Sequence, residues 1–490
     1  MNLYISARVR TLAIVALLIA TGALPVKAGV EAGIEASVQT RGDGKLIALL
    51  LELSARHPRI VEQAGELASR LAAARYSSGR YPDPNLGVAW SNYPYKKDLR
   101  LIDDRTPMTG LEFSVSQPIP FPGRLSLESQ IADVEARASR LRLAIEKNRI
   151  AREFLEELLD IRTNLAELRL TRDFGERMRI ALEAANVRYA VGKANLAEVS
   201  AAGVRQARFQ DRSRALEGRL QSRYRTLRYF LADSSVAGSE DAPEEQTPGS
   251  GMEPVVALLA AKDGGGNAAE PTDLDRYLMR LRSRTLEGRA SVATESLAVA
   301  LIELSEDRRA KEESLAWMNY LPDFEVFAAY RRRADIPDDP AAGEDFMSFG
   351  FKMRVPLWSA LSNHAKLEAV QEERRSARFA GRNIAENESR IFDAARIDWQ
   401  TLEDRLVLYD ESLIPRAERG LEAASFAYES GRGDFDALAD AWDALYALRS
   451  EGLRLAADRD RSVLAMAFVL NRILPDVSAE AAGASEGGAQ

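Results

Sequence analysis

The chain reverses twice through the same few residues. "VRYAVGKANLAEVSAA" (187–202) and "FAYESGRGDFDALADA" (426–441) each pass from a tyrosine through two residues, a glycine and a basic residue into a fresh amphipathic run. Tyr189 and Gly192 stand 239 places before Tyr428 and Gly431. Two further landmarks hold nearly the same register. "YPDPNLGVAW" (81–90) resembles "YLPDFEVFAAY" (320–330), with Pro84 against Pro322, and "LEFSVSQPI" (111–119) resembles "FGFKMRVPL" (349–357), with Pro118 against Pro356, both 238 apart. Chance likeness between heptad-rich helices does not place prolines in matching strand-like segments. The chain is therefore a tandem duplication of a unit of roughly 200 residues, spanning 44–233 and 272–474, and its fold has to be built twice.

Each repeat has the same order: a leading helix (44–78, then 272–318), two short strands, a very long helix, a glycine reversal and a return helix. The first long helix is expected from Leu125 to Ala190, on the order of 100 Å at ~1.5 Å per residue, too long for a compact globule. Its apolar residues Ile131, Val134, Ala138, Leu141 and Ile145 alternate steps of three and four, as do Ala395, Trp399, Leu402, Leu406, Tyr409 and Leu413 in the second repeat. That is the seam of a coiled coil. The remaining faces carry Arg, Glu and Asp, as solvated faces should. Gly192 and Gly431 read as tight turns between antiparallel helices, using glycine's access to positive φ.

Strands are predicted near 84–93, 109–118, 322–331 and 346–356. Leu111, Phe113 and Val115 alternate with Glu112, Ser114 and Ser116, and Phe349, Phe351, Met353 and Val355 with Gly350, Lys352 and Arg354. A half-buried soluble sheet and a membrane barrel both alternate in this way, and periodicity alone does not separate them. Residues 1–28 read as a secretory signal peptide: Arg8 and Arg10, the apolar run "TLAIVALLIATGAL", and "VKA" for cleavage after Ala28. The competing reading, an uncleaved anchor, asks more of that run than its length offers. The segment holds three cations and no acid, so its removal takes the formal charge from −8 to −11. An acidic mature chain argues against nucleic acid as a partner. No later segment is apolar enough for a membrane helix, so a membrane would have to be crossed by strands. Residues 29–43 form an N-terminal segment, 234–271 a Gly-, Pro-, Ser- and acid-rich linker, and 475–490 a tail expected to be disordered.

Taken together, the duplicated unit, "YPDP" before a strand, "VSQPIPFPGRL" leaving one, and "LIPRAERGLEAASFAYESGRGDFDALADAW" around the second reversal resemble the outer-membrane efflux channels of Gram-negative bacteria, the TolC-like proteins. "PDP", "QPIPFPGR" and "GRGDFDAL" look most like the branch that exports heavy-metal cations. The resemblance implies a mostly α protein with a transmembrane β-barrel. It implies a homotrimer whose three sets of four strands close a 12-stranded barrel in outer-membrane lipid, above a trimeric α-helical tube. It also implies two hairpin tips per protomer that dock a periplasmic adaptor, itself joined to an inner-membrane pump. The tips would be Val191, Gly192 and Lys193, and Ser430, Gly431 and Arg432. In such channels acidic residues just beyond the second tip line the periplasmic entrance. By register Asp440 falls on one such position, while the neighbouring one is Ala437. Asp434 and Asp436 stand close enough to compensate, but Asp434 also reads as a helix N-cap and Asp436 as a favourable first-turn charge.

Other functions find less support. A type I secretion channel would share this architecture. A periplasmic adaptor would carry one hairpin flanked by soluble β domains. An enzyme would need a catalytic set, and none can be assembled. His57, in "ARHPRI", precedes Pro58 at an expected helix irregularity, and His364, in "LSNHAK", follows a strand. Both read as core or surface residues. "RGDGKL" (41–46) lacks the spacing of a phosphate loop. With no cysteine and nine scattered methionines, no thiolate or thioether metal site is expected, and no cofactor.

Overall fold

The computed structural model describes residues 44–92, 109–192, 195–231, 271–286, 292–333, 344–358 and 360–474. The expected signal peptide, the segment 29–43, all of the linker but its last residue, the tail and Lys193 lie outside the described residues. The first repeat runs α1 (Gly44–Arg56), α2 (Pro58–Gly79), β1 (Asn85–Ser91), β2 (Gly110–Ile119), α3 (Arg124–Ala190) and α4 (Leu196–Leu231). The second runs α5 (Asp273–Leu286), α6 (Val292–Glu295), α7 (Leu297–Met318), β3 (Asp323–Arg333), β4 (Phe346–Arg354) and α8 (Ala360–Leu408). A π turn (Tyr409–Leu413), α9 (Ile414–Glu429) and α10 (Phe435–Val469) complete it.

The chain divides into two compact units, residues 1–52 with 240–280 and residues 53–239 with 281–490. In the first, Leu46 and Leu50 of α1 and Leu274, Tyr277 and Leu278 of α5 are buried. Thr272 and Asp275 cap the start of α5 reciprocally: the threonine hydroxyl accepts from the Asp275 amide at 3.1 Å, and the carboxylate accepts from the Thr272 amide at 3.1 Å. The second unit holds both long hairpins and the sheet.

In that second unit α3 is the spine, packed by α2, α4, α7 and α10. Ile150, Phe154, Leu155, Leu158, Leu159 and Ile161 are fully buried there. Each such side chain contributes roughly 2 kcal/mol, against a few tenths for a surface ion pair along the helix. Burial therefore holds this helix in place, and the charged pairs decorate it.

The leading helices are not continuous as the sequence predicts. The first breaks at His57, where Pro58 supplies no amide and takes the first helical position of α2. The second breaks at Ser296, again in extended geometry before α7, and Ser296 stands 239 places after His57. The second long helix is also interrupted. In the π turn the Ile414 amide reaches back five residues to the Tyr409 carbonyl, next to Pro415, which has no amide to continue the α ladder. A π turn takes up one residue more than the α-helix it replaces. It lies between the proline landmarks, 238 apart, and the tip landmarks, 239 apart, and one surplus residue there matches that change of register.

The strands form one antiparallel sheet in the order β1-β2-β3-β4. Val88 pairs with Phe113, Phe113 with Tyr330 and Tyr330 with Met347; Leu86, Val115, Ala328 and Phe349 make the next row. These rows put Leu86, Val88, Trp90, Phe113, Val115, Phe349 and Phe351 on one face, all exposed. The opposite face is polar. Glu112 accepts from Arg331 at 2.7 Å, and Lys352 pairs with Glu325 at 3.3 Å. Phe327 is an aromatic exception on that side. Its ring covers Gly350, where a Cβ would come within 2.7 Å of it, and the Lys352 ammonium sits 4.7 Å above. Among the described residues no strand pairs with the outer edge of β1 or of β4.

His57 makes the α1–α2 break sensitive to pH. It is 2% exposed, its Nδ1 accepts from the Arg59 amide at 3.3 Å, and Tyr229 and Phe230 pack on the ring. Among the described residues its Nε2 has no hydrogen-bond partner. Burial, then Arg59, pushes its pKa below the ordinary value of 6.5, with Glu153 and Glu146 opposing. The folded state thus prefers the neutral ring. The stability it contributes is present above 6.5 and is lost as pH falls through the lowered value. His57→Asn, which keeps a capping side chain, is expected to flatten the fall in melting temperature between pH 7.5 and 5. An unchanged slope in thermal unfolding of this variant would exclude His57 as its source.

Candidate functional site

The two reversals are built alike down to single atoms. Gly192 and Gly431 both have φ of 73°. At the second, the Ser430 amide donates to the Phe426 carbonyl at 3.0 Å, Gly431 to Tyr428 at 3.1 Å and Arg432 to Ala427 at 2.9 Å, the pattern of a Schellman stop. At the first, Val191 donates to Val187 at 3.3 Å and Gly192 to Tyr189 at 2.9 Å. The return helices also begin alike. Asn195 accepts from the Glu198 amide and Asp434 from the Ala437 amide, both at 2.8 Å, and the two caps stand 239 apart. Val191, Gly192, Ser430, Gly431 and Arg432 are all exposed.

Behind the tips the two hairpins share a core. Phe174, Met178 and Phe209 of the first pack with Tyr428, Phe435, Leu438 and Tyr446 of the second. Here the duplication stops being symmetric. Tyr189 is exposed, but its counterpart Tyr428 is buried. The Tyr428 hydroxyl donates to Glu198 at 2.7 Å, and the Arg188 guanidinium lies 4.5 Å from its ring centre. Burial, then Glu198, pushes the Tyr428 pKa up to about 12, so it remains a donor at any physiological pH.

The acidic residues beyond the second tip divide. Asp434 is committed to the N-cap of α10. Asp436 and Asp440 share one helix face and are gripped together by Arg205 of α4, at 3.1 and 2.9 Å, with Asp443 at 3.5 Å. The carboxylates are largely exposed, so each pair is worth about 1 kcal/mol or less, and the grip is one that solvent can open. Arg205, Tyr428 and Glu198 were not among the site residues expected from sequence. Their partners lie 230 or more positions away, and no local pattern marks them. Among the described residues no helix is long and apolar enough to cross a membrane, and no group of three or more His, Asp or Glu side chains is arranged to hold a metal ion.

No family model matches this chain, and no curated protein does. Solved structures match it over nearly the full length. The outer membrane protein VceC of Vibrio cholerae aligns at a TM-score of 0.66 with 14% identity, over 86% of this chain and 95% of its own. The fold is that of the outer-membrane channels. The Campylobacter jejuni outer membrane channel CmeC gives 0.64 with 8% identity over 90% and 89%, and the open state of the Neisseria gonorrhoeae channel MtrE gives 0.60 with 10% over 88% and 89%. The mostly α architecture expected from the sequence is thus observed, with a small antiparallel sheet.

At Gly192 and Gly431 a Cβ would meet no atom within 4 Å, so an alanine there is penalised only by its positive φ. Gly192→Ala and Gly431→Ala should each destabilise the detergent-purified protein by about 1–2 kcal/mol, and Asn at either position by less. Chemical denaturation showing alanine equal to glycine would contradict the left-handed turn.

Proposed function

We propose that the chain is the outer-membrane component of a tripartite efflux system, a passive homotrimeric conduit from the periplasm to the exterior of a Gram-negative cell, exported with cleavage after Ala28. The observation that carries this reading is the sheet. It exposes one apolar face, keeps its ion pairs on the other and, among the described residues, leaves both edges unpaired. A lone sheet of this kind cannot stand in lipid, because its edge amides and carbonyls would have no partners. Three copies edge to edge close a 12-stranded barrel with Leu111, Phe113, Phe349 and Phe351 toward lipid and Glu112 and Lys352 toward the lumen. The likeness to solved outer-membrane channels supports the same reading, and supports a conduit rather than an enzyme.

The tips Val191, Gly192, Lys193, Ser430, Gly431 and Arg432 dock the periplasmic adaptor, which links the conduit to an inner-membrane pump. The turn is made by glycine, and the tip is presented because the turn is there. The forms "QPIPFPGR" and "GRGDFDAL" support heavy-metal cations as the cargo, delivered by the pump. Asp436 and Asp440, with Asp434 beside them, stand at the entrance, where three copies would draw cations in.

A charge on the lipid face costs ~2–4 kcal/mol near mid-bilayer. Phe351→Arg should therefore abolish heat-modifiable trimers in outer-membrane fractions, while Lys352→Arg leaves them intact. Equal tolerance at the two positions would remove the barrel assignment. In planar bilayers the channel should prefer cations and be blocked by multivalent cations from the periplasmic side. Arg205→Gln should strengthen that block by freeing Asp436 and Asp440. Asp440→Ala should weaken it more than Asp434→Ala, whose carboxylate is held in a cap. Anion preference, or a block indifferent to Asp440, would defeat the entrance assignment and leave the barrel untouched.

A further inference from the structure

Next to the Arg205 ion pairs, on the side away from the tips, a groove of about 540 Å³ opens between α4 and α10, flanked by Tyr409 of the π turn. That volume suits a small ligand. One wall is a single face of α4: Arg205, Arg208, Phe209 and Arg212, at spacings i, i+3, i+4 and i+7. The facing wall of α10 brings Asp443, Glu451 and Arg454. Four guanidinium groups thus meet two carboxylates.

The four differ in how fully they are engaged. Arg205 is held by its three aspartates. Arg454 donates at 2.7 Å to Glu167, a buried carboxylate that also accepts from Ser450. Arg212 lies with its guanidinium 4.8 Å from the Tyr446 ring centre, which occupies a flat face and leaves the N–H edges uncommitted. Among the described residues neither Arg208 nor Arg212 has a hydrogen-bond acceptor or an ion-pair partner. The groove's acids do not supply one. Asp443 goes to Arg205, and Glu451 leans toward Arg405 at 3.7 Å. Phe209 and Tyr446, buried and with ring centroids 5.2 Å apart, form an apolar floor of the groove, with Arg212 over the tyrosine ring.

A guanidinium is a rigid fork of five donors matched to carboxylate and phosphate oxygens, and it binds them bidentately. Two forks one helical turn apart, without acceptors, beside a groove of ligand size and over a low-dielectric floor, are complementary to an anion with more than one oxygen-bearing group. We infer that this groove is a binding site for a small multivalent oxyanion, a polycarboxylate or a phosphate compound, held chiefly by Arg208 and Arg212. Such a ligand would touch both hairpins at once and lie against the π turn. The inference does not rest on the channel reading, since it concerns binding to the protein in detergent.

The test is isothermal titration of the full-length, detergent-purified protein with citrate and, separately, with inorganic pyrophosphate, at fixed ionic strength and low chloride. Saturable binding of either is expected, and the stronger one assigns the ligand to carboxylate or phosphate chemistry. Arg208→Gln and Arg212→Gln should each weaken it by about tenfold. Arg208→Lys should recover part of the loss, since it restores the charge but not the fork. Arg416→Gln, an exposed position on α9 outside the groove, should bind as the parent does. Thermal unfolding without anion establishes that each variant is folded. Absence of saturation with both probes, binding insensitive to Arg208 and Arg212, or the same loss at Arg416, which would mean surface screening alone, overturns the site.

Discussion

Between Asn148 and Thr171 the longest helix is packed chiefly by α4 and α10, and its largest side chains lose all contact with solvent. The rest of the fold hangs from this stretch. Secondary-structure propensity cannot carry a helix of 67 residues in water unless its apolar face is covered. The cover here comes from both repeats at once, which makes each half of the duplication a condition for the other. Asn148 ties this helix to the end of α10. Its amide donates to the Phe468 carbonyl at 3.2 Å and to Asn471 at 2.9 Å. Asn471 itself takes the positive φ that ends α10.

Charge is distributed unevenly along the two hairpins. At mid-length Asp460 is nearly buried and is met by Arg162 at 2.6 Å and Arg459 at 2.9 Å. Asp160 joins Arg223 at 2.8 Å and Arg461. These networks tie α3, α4 and α10 together, and at Asp460 removing both arginines would leave a nearly buried ion uncompensated. Toward the tips the polar ties between hairpins include the tyrosine–glutamate hydrogen bond and one arginine among exposed aspartates, beside the apolar core that both hairpins share. The ion pairs are thus more enclosed at mid-length than near the tips.

Much of this was legible in the sequence because it depends on local or periodic signals. Alternation placed all four strands within two residues of their observed limits, and the glycines marked both reversals. The apolar steps along α3 marked the buried seam, with Val134, Ala138 and Leu141 inside. The cap at Asp434 followed from its place before α10. What escaped depends on distance in the chain or on subtle geometry. No proline announces the break at Ser296. The pairing of Asp440 with Arg205 joins residues 235 positions apart, and duplication does not foretell it, since it links unlike positions of the two repeats. Tyr189 and Tyr428 look equivalent as letters, yet only one lies between the hairpins.

The π turn has a consequence for how the two repeats can diverge. Each residue of an α-helix rotates the next by about 100°. A single surplus residue in the long helix would therefore swing everything beyond it through that angle, carrying Tyr428 away from Glu198 and the seam away from its partners. The wider turn at Tyr409–Leu413 absorbs the surplus within five residues. Length and direction are thereby uncoupled at one point along the hairpin, and an insertion that would be fatal elsewhere in the seam becomes a local bulge.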